Sequence, residues 1–401
     1  MKSWFFPIFF LIFLFSDQLL STILAITGLS VESGMLQRIF LPIAVVGYLL
    51  LLRDVLIGGH KSAYRIIIIT ILFGLLFLLS SLTSQGAPAP YYNRLLRFGS
   101  ICIAGVAVGV HLSLYPCYEK IEKLLPFFIM LFVVVLGRYG LEASMNYTII
   151  KEEEGEGIGL NYQAFSYYMA IEYTYSMYFL LFSSIRGSRY HRIMFLPMAA
   201  TAIASAALCI MGGGRGPFVY LAFISLVLFY FYQRTRKTSF SSIWTIAVLI
   251  FAFVLIVGRL NVFESAGFTR VSENLTDDST RPYLYAKAWE AFESSPLFGH
   301  GFGSIWWTVG WACHNMFLDL LAEGGLIGAG FVFYFFFISG KFLWKQTKIR
   351  PCYILILIVF LESIVENMFS GYWVSSQAIW FSVAFALTDM KTNNRRLIIT
   401  R

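Results

Sequence analysis

Residues 315–340 read NMFLDLLAEGGLIGAGFVFYFFFISG. The only ionisable side chains in this stretch are Asp319 and Glu323, both close to its start. A helix of this length would extend about 39 Å at 1.5 Å per residue, whereas the hydrocarbon core of a bilayer is about 30 Å thick. The stretch therefore predicts a helix that crosses a membrane.

Comparable apolar runs recur along the whole chain. Of its 401 residues, 58% are hydrophobic and 13% are charged, and the mean hydropathy is +0.72. Because a soluble globular domain has roughly 25% charged residues, this composition excludes that class. We predict an all-α polytopic membrane protein with about twelve transmembrane helices in a single integral membrane domain, residues 1–401. The other eleven predicted spans are 4–28, 36–52, 66–82, 98–115, 124–142, 162–184, 193–211, 216–233, 242–260, 352–372 and 374–390.

Lysine and arginine alternate between the two sides of this predicted bundle. If the N-terminus is cytoplasmic, 20 of the 30 Lys and Arg residues fall in cytoplasmic loops or termini, as the positive-inside rule requires. We therefore expect both termini in the cytoplasm, and we attribute the net charge of +8 to this bias rather than to nucleic-acid binding. The first segment carries Asp17 and lacks a small-residue cleavage site, so we expect a retained helix there rather than a signal peptide.

The largest predicted outer loop covers residues 261–313. Within it, the capping side chains of Asp277 and Asp278 and the following Pro282 are typical of a helix start. Apolar side chains then recur at helical spacing, which predicts a short amphipathic helix lying at the membrane interface. These side chains are Tyr285, Ala288, Trp289 and Phe292.

Two arginines stand at predicted outer helix starts. Arg215 follows three glycines between the seventh and eighth spans, and Arg281 directly precedes Pro282. The N-terminal end of a helix attracts anions, and exposed amides beside a planar guanidinium suit diphosphate oxygens. We therefore predict that Arg215 and Arg281 hold a diphosphate leaving group without a metal. The alternatives are that Arg215 binds lipid headgroups and that Arg281 is an exposed loop charge.

Histidines supply the candidate base. His314 begins the tenth span, where its imidazole could deprotonate a hydroxyl group; the alternative is an interfacial imidazole bonded to a carbonyl. His300 lies in a glycine-rich turn and is the weaker candidate, with a structural role expected. His111 lies toward the cytoplasmic side and belongs to no cluster that the sequence reveals. Cys313 is adjacent to His314, so the two side chains cannot face each other on a helix and form a dyad.

The two carboxylates of the tenth span lie one turn apart on one face of the predicted helix. Asp319 and Glu323 are expected to pair with a cation such as Arg215, or to pack against another helix, rather than to act in catalysis. Glu323 lies roughly opposite His314 unless the helix breaks, and the glycines at 324–325 are the place where it could do so.

In combination these residues resemble the superfamily of O-antigen ligases and O-antigen polymerases, which are membrane enzymes of the bacterial envelope. Residues 159–163 look like a degraded form of the family's Asn-Pro-Asn element, because Tyr162 replaces the proline. The other stretches that carry the resemblance are GRG at 214–216, Arg281 ahead of YAKAW at 285–289, SPLFGHGFG at 295–303, and HNMFLDLLAEGGLIG at 314–328.

The resemblance implies a metal-independent, inverting glycosyltransferase of the inner membrane that needs no cofactor and faces the periplasm. Its donor would be a glycan linked to undecaprenyl diphosphate. Arg215 and Arg281 would bind the diphosphate, and His314 would be the general base. The possible supporting residues are Arg94, Arg97, Asp319, Glu323 and His300.

The resemblance leaves the acceptor open. A polymerase transfers the glycan to a lipid-linked repeat unit, whereas a ligase transfers it to lipid A-core. We favour the polymerase because the outer loop is compact and shows no distinct patch for lipid A-core, and the ligase is the alternative. A secondary transporter or lipid-linked glycan flippase is a more distant alternative, since the outer charges cluster at span ends rather than on matched, interrupted helices.

Overall fold

The computed structural model describes residues 4–27, 33–56, 64, 66, 68–72, 75, 102–150, 162–235, 280–310, 312–373 and 376–399. This part of the chain is helical and contains no β-strand, which confirms the predicted all-α class. Its helices are α1 (Phe5–Leu14), α2 (Ser16–Thr27), α3 (Ser33–Leu56), α4 (Ile103–Leu114), α5 (Tyr118–Ile150), α6 (Tyr162–Phe182), α7 (Arg189–Gly212), α8 (Arg215–Thr235), α9 (Thr280–Ser294), α10 (Ile305–Thr308), α11 (Met316–Gln346), α12 (Cys352–Phe369) and α13 (Gln377–Ile399).

Ten of the twelve predicted spans fall on these helices. The span predicted at 242–260 lies outside the described residues, and the one at 66–82 is described only in part. By length and apolar composition, α7, α8, α11 and α12 could each cross a membrane, and α1 with α2 makes a fifth if this bent pair is one span. These helices support a membrane protein, while the count of about twelve and the large periplasmic loop stay predictions.

The described residues fall into two compact units. Unit 1 comprises residues 1–36, 117–277 and 347–358. Its first two helices meet at 76°, and the corner is Phe15, which is fully buried. The ring of Phe15 packs 5.3 Å from that of Phe132 on α5 and 5.4 Å, edge-on, from that of Tyr175 on α6. Aromatic packing of this kind fixes the bend.

A buried carboxylate joins α5 to the end of α6 within unit 1. Glu122 is fully buried, and its oxygens accept hydrogen bonds from Tyr178 Oη at 2.6 Å, Ser183 Oγ at 3.1 Å and the Ser184 amide at 2.9 Å. These donors offset the cost of removing the carboxylate from water.

Unit 2 comprises residues 37–116, 278–346 and 359–401. Here α4 packs against α13 through Gly105 and Gly109. A Cβ atom at Gly105 would lie 2.6 Å from the carbonyl oxygen of Gln377, and one at Gly109 would collide with the carbonyl of Phe381. Glycines four residues apart are typical of closely packed helices in membranes.

His111 has a buried partner that the sequence did not reveal. Its Nδ1 lies 2.7 Å from Oδ2 of Asp54 on α3, and both side chains are buried. The pair joins residues 57 positions apart, so only the packing of α3 on α4 reveals it.

Candidate functional site

The candidate site of unit 2 is built on a break in α11. At Gly325 the backbone has φ 57° and ψ −164°, a conformation outside the helical range. The turn of residues 296–301 fills the break with backbone hydrogen bonds. Before the break, the His300 amide donates to the Ala322 carbonyl at 3.0 Å and the Gly301 amide donates to the Glu323 carbonyl at 2.8 Å. After it, the Leu326 amide donates to the Pro296 carbonyl at 2.8 Å and the Ile327 amide donates to the Leu297 carbonyl at 3.1 Å. The groups released by the break are thus satisfied, as a membrane-spanning segment requires.

Glycine is required on both sides of this contact. A Cβ atom at Gly325 would lie 2.5 Å from the carbonyl oxygen of Leu297, and one at Gly299 would collide with the carbonyl of Glu323. Both glycines also have positive φ, of 57° and 66°, which side chains with a Cβ rarely adopt. The break that the sequence allowed at residues 324–325 is therefore present.

Glu323 lies at this break with its side chain fully buried. Its Oε1 accepts from Tyr372 Oη at 2.6 Å and from the Ile305 amide at 3.4 Å, and its Oε2 accepts from Trp373 Nε1 at 3.3 Å. The carboxylate therefore joins the start of α10 to the segment that follows α12. The expectation that Glu323 packs against another element rather than standing alone agrees with this geometry.

Arg281 lies in the first turn of α9 and is half-buried. Its Nη2 donates to the carbonyl of Phe369 at 3.1 Å, and Phe369 is the last residue of α12. A cation is favourable at a helix C-terminus, where unpaired carbonyls carry partial negative charge. The guanidinium is thus anchored by the end of another helix and is not an isolated loop charge.

His314 precedes α11 and has φ 55°, the left-handed conformation, while its side chain is half-buried. Next to it, the side-chain oxygen of Asn315 accepts from the Phe317 amide at 3.1 Å and caps the helix. Oδ1 of the fully buried Asp319 accepts from the Cys313 amide at 2.9 Å. The residues on both sides of His314 are therefore fixed.

Cys313 is anchored a second time through its thiol, which donates to the Leu284 carbonyl on α9 at 3.6 Å. Burial, and then the neighbouring charge of Asp319, raise the pKa of the Cys313 thiol well above its usual range. A thiol held neutral in this way is a poor nucleophile.

In unit 1, Arg215 is the first residue of α8 and follows α7 after only two residues. Gly213 ends α7 in the left-handed conformation with φ 76°. The Gly214 amide donates to Ser166 Oγ at 3.2 Å, and a Cβ atom at Gly212 would collide with the same hydroxyl. The predicted close approach at this junction is therefore made to the first turn of α6. Within the described part of the chain, Arg215 makes no ion pair.

Comparison with protein families bears on the region that holds these residues. Residues 200–334 match the O-antigen ligase family. The predicted resemblance to the superfamily of O-antigen ligases and polymerases is thereby confirmed. No curated protein matches the chain.

The matched region, residues 200–334, contains most of the predicted site residues. These are Arg215, Arg281, His300, His314, Asp319 and Glu323. Arg94, Arg97 and residues 261–279 of the predicted outer loop lie outside the described residues. Among the residues that are described, no group of three or more His, Cys, Asp or Glu could hold a metal ion; metal-independent transfer stays a prediction.

His300 has the structural surroundings that its sequence indicated. Its Nε2 lies 2.8 Å from Ser294 Oγ and 2.9 Å from the Ala291 carbonyl oxygen. These contacts tie the turn that fills the α11 break to the C-terminal end of α9, so His300 supports the turn.

Helix α9 begins at the predicted helix start, with Pro282 in its first turn, but its apolar side chains divide between two surfaces. Tyr285 and the fully buried Ala288 pack into a core cluster with Cys313 and Ala322. Trp289 is 47% exposed, and its ring packs against that of Phe292 at an angle of 51° with centroids 5.2 Å apart. Half of the predicted amphipathic face thus serves the protein core, and its position at a membrane interface stays a prediction.

Sequence analysis missed several hydrogen-bond partners of these residues. Tyr372 and Trp373 bind Glu323 from a short segment after α12, and Ser166 binds the Gly214 amide. The available signal was weak: the tyrosine is the last residue of the eleventh predicted span and the tryptophan follows it, and such residues are common at span ends in any membrane protein.

Proposed function

We propose that the chain is a glycosyltransferase of O-antigen assembly that takes its glycan from an undecaprenyl-diphosphate-linked donor, most simply as an O-antigen polymerase. The match of residues 200–334 to the O-antigen ligase family carries this proposal. It supports glycosyl transfer in a membrane in general terms. The identity of the donor, the identity of the acceptor and the inversion of the anomeric centre are our proposal.

In the proposed reaction, His314 takes the proton of the acceptor hydroxyl as its oxygen attacks the anomeric carbon of the donor. The bond between that carbon and the diphosphate oxygen breaks, and undecaprenyl diphosphate leaves with the bonding electrons. Attack opposite to the leaving group inverts the anomeric centre. Arg281 and Arg215 bind the negative charge that develops on the diphosphate.

Several features of the described residues support these roles. Arg281 is held by a helix end through one nitrogen, which orients a planar group that has five N–H donors. His314 has the left-handed conformation directly before α11, and such unusual backbone conformations cluster at functional sites. Arg215 begins a helix whose amides are favourable for an anion.

Complementation tests the three residues. A strain lacking the gene is supplied with Arg215→Ala, Arg281→Ala or His314→Ala, and lipopolysaccharide is examined on a gel while an immunoblot checks the protein in the membrane. Each variant should insert but fail to restore the polysaccharide. Lys287→Ala is the matched control, because Lys287 is an exposed cation on α9 that pairs with Glu290 at 2.7 Å. A normal polysaccharide in the His314→Ala strain would exclude the proposed base.

O-antigen ligase is the second candidate, because the matching family carries that description. The two activities leave different products when the gene is deleted. Lipid A-core bearing a single repeat unit indicates a missing polymerase. Bare core, with long polymer accumulating on the lipid carrier, indicates a missing ligase.

The proposal also places the protein in the inner membrane with the site toward the periplasm. Reporter domains fused after Arg401 should be cytoplasmic, and reporters inserted within 261–279 should be periplasmic. The opposite result at either position would reverse the proposed orientation.

A further inference from the structure

We infer that Asp319 is a positioning residue that holds His314 in place through the Cys313 backbone. The inference rests on the proposed function, in which His314 is the general base, and it assigns to this buried carboxylate a task beyond packing. The contact that carries it is the hydrogen bond from the Cys313 amide to Asp319 Oδ1, at 2.9 Å.

The backbone at His314 needs such support. With φ 55° it is the only non-glycine residue in the described part of the chain with positive φ. The left-handed conformation brings Cβ close to the backbone carbonyl, so residues other than glycine and asparagine adopt it rarely. A conformation of this kind persists only where the surrounding contacts determine it.

Asp319 supplies contacts on both sides of this residue. Its carboxylate accepts from the amide of Cys313, which precedes His314, and its own amide donates to the carbonyl of Asn315, which follows, at 2.9 Å. The Cys313 thiol is also bound to the Leu284 carbonyl. His314 is thus enclosed between two anchored neighbours, and Asp319 anchors both.

The burial and hydrogen bonding of the Asp319 carboxylate are consistent with a role as the acceptor of a single hydrogen bond. Asp319 is fully buried, and a buried carboxylate within an apolar helix is costly unless it performs a task. Only Oδ1 is engaged; Oδ2 has no hydrogen-bond partner among the described residues. Since a single oxygen makes the contact, an asparagine oxygen should be able to replace it.

Two substitutions separate this task from a purely structural one. Asp319→Ala removes the acceptor and should lower kcat by about a hundredfold, the effect of a displacement near 1 Å in a catalytic group. The KM for the lipid-linked donor should change less than threefold, because Arg215 and Arg281 are untouched. Asp319→Asn keeps the acceptor oxygen and should restore kcat to within about tenfold of the parent.

A double-mutant cycle shows whether Asp319 acts through His314. We would measure transfer in membranes containing the full chain, for His314→Ala, Asp319→Ala and the double variant. Residues that act as one unit give non-additive losses, so the double variant should be no slower than His314→Ala alone. Ser339→Ala, a buried substitution farther along α11, should match the parent and control for general damage to the helix.

The outcomes are distinguishable. Parent activity in Asp319→Ala, equal inactivity of Asp319→Asn and Asp319→Ala at normal protein level, or additive losses in the cycle would each overturn the positioning role while leaving the general base intact. Parent activity in His314→Ala would overturn the proposed base, and the inference with it.

Discussion

The Nη2 atom of Arg281 donates a hydrogen bond to the carbonyl of Phe369 at 3.1 Å, which joins the first turn of α9 to the last residue of α12. One edge of the guanidinium is therefore held by the protein. A group fixed in this way costs less entropy when it binds a diphosphate than a free side chain would.

Arg281→Lys should separate charge from geometry. Lysine keeps the charge, but it is a compact point charge that cannot reproduce the planar fork of arginine. The loss of one charge-assisted hydrogen bond costs about 1.5–3 kcal/mol, so we expect kcat/KM for the donor to fall by roughly ten- to a hundredfold. Lys287→Arg, the reverse exchange on the exposed face of α9, should leave the rate unchanged. A parental rate in Arg281→Lys would show that the fork is not used.

Tyr372→Phe tests the network around Glu323. The change removes a 2.6 Å hydrogen bond to a buried carboxylate, and losing a bond to a charged group costs about 1.5–3 kcal/mol. We expect a lower Tm in thermal unfolding of the detergent-purified protein. Tyr334→Phe is the matched control, because Tyr334 on α11 is 59% exposed, and its Tm should equal that of the parent. An unchanged Tm in Tyr372→Phe would show that the hydrogen bond to Glu323 does not stabilise the fold.

Gly325→Ala should prevent the turn of residues 296–301 from entering the α11 break. The added Cβ would lie 2.5 Å from the Leu297 carbonyl oxygen at a residue with φ 57°, so strain and collision combine. We expect little folded protein in the membrane, measured by immunoblot and protease resistance. Gly330→Ala lies on the same helix with open space around it, and it should accumulate normally. Equal accumulation of the two variants would contradict the tight contact.

Sequence periodicity located the helices described at ten of the twelve predicted spans, but not their contacts. The start of α9 and the α7–α8 junction followed from local signals, namely capping side chains, proline and glycine, that act within a few residues. The break at Gly325 was foreseen because two glycines stand together in an apolar helix. The segment that fills the break could not be foreseen, because the pairing of residues 296–301 with 322–327 uses only backbone atoms and leaves no pattern in the sequence.

The buried polar pairs could not be predicted from the sequence for a related reason. Asp54 and His111 are 57 residues apart, and Glu323 and Tyr372 are 49 apart. Each residue alone is an ordinary polar side chain near the end of an apolar helix. Only the packing of helices distant in sequence decides that it is buried against a partner, and intrinsic propensities do not encode that choice.

Cys313 should resist alkylation at pH 8. Burial raises the pKa of its thiol well above the usual range, so the thiol stays protonated at that pH and only the thiolate reacts. Mass spectrometry after iodoacetamide treatment of native membranes should find Cys313 unmodified, and full labelling after denaturation provides the control. Labelling of Cys313 in the native protein would show that the contact with Leu284 opens.

Arg215→Ala should remove activity without removing stability. The side chain makes no ion pair within the described residues, and substitutions of side chains without buried partners usually change stability by no more than about 0.5 kcal/mol. We therefore expect a parental Tm together with complete loss of glycan transfer, because the charge that would bind the diphosphate is gone. Arg234→Ala is the matched control at the opposite end of α8, where the side chain donates to the Tyr230 hydroxyl at 2.9 Å; it should keep full activity. If Arg215→Ala lowered the Tm as well as the activity, we would conclude that the arginine stabilises the fold rather than binds the donor.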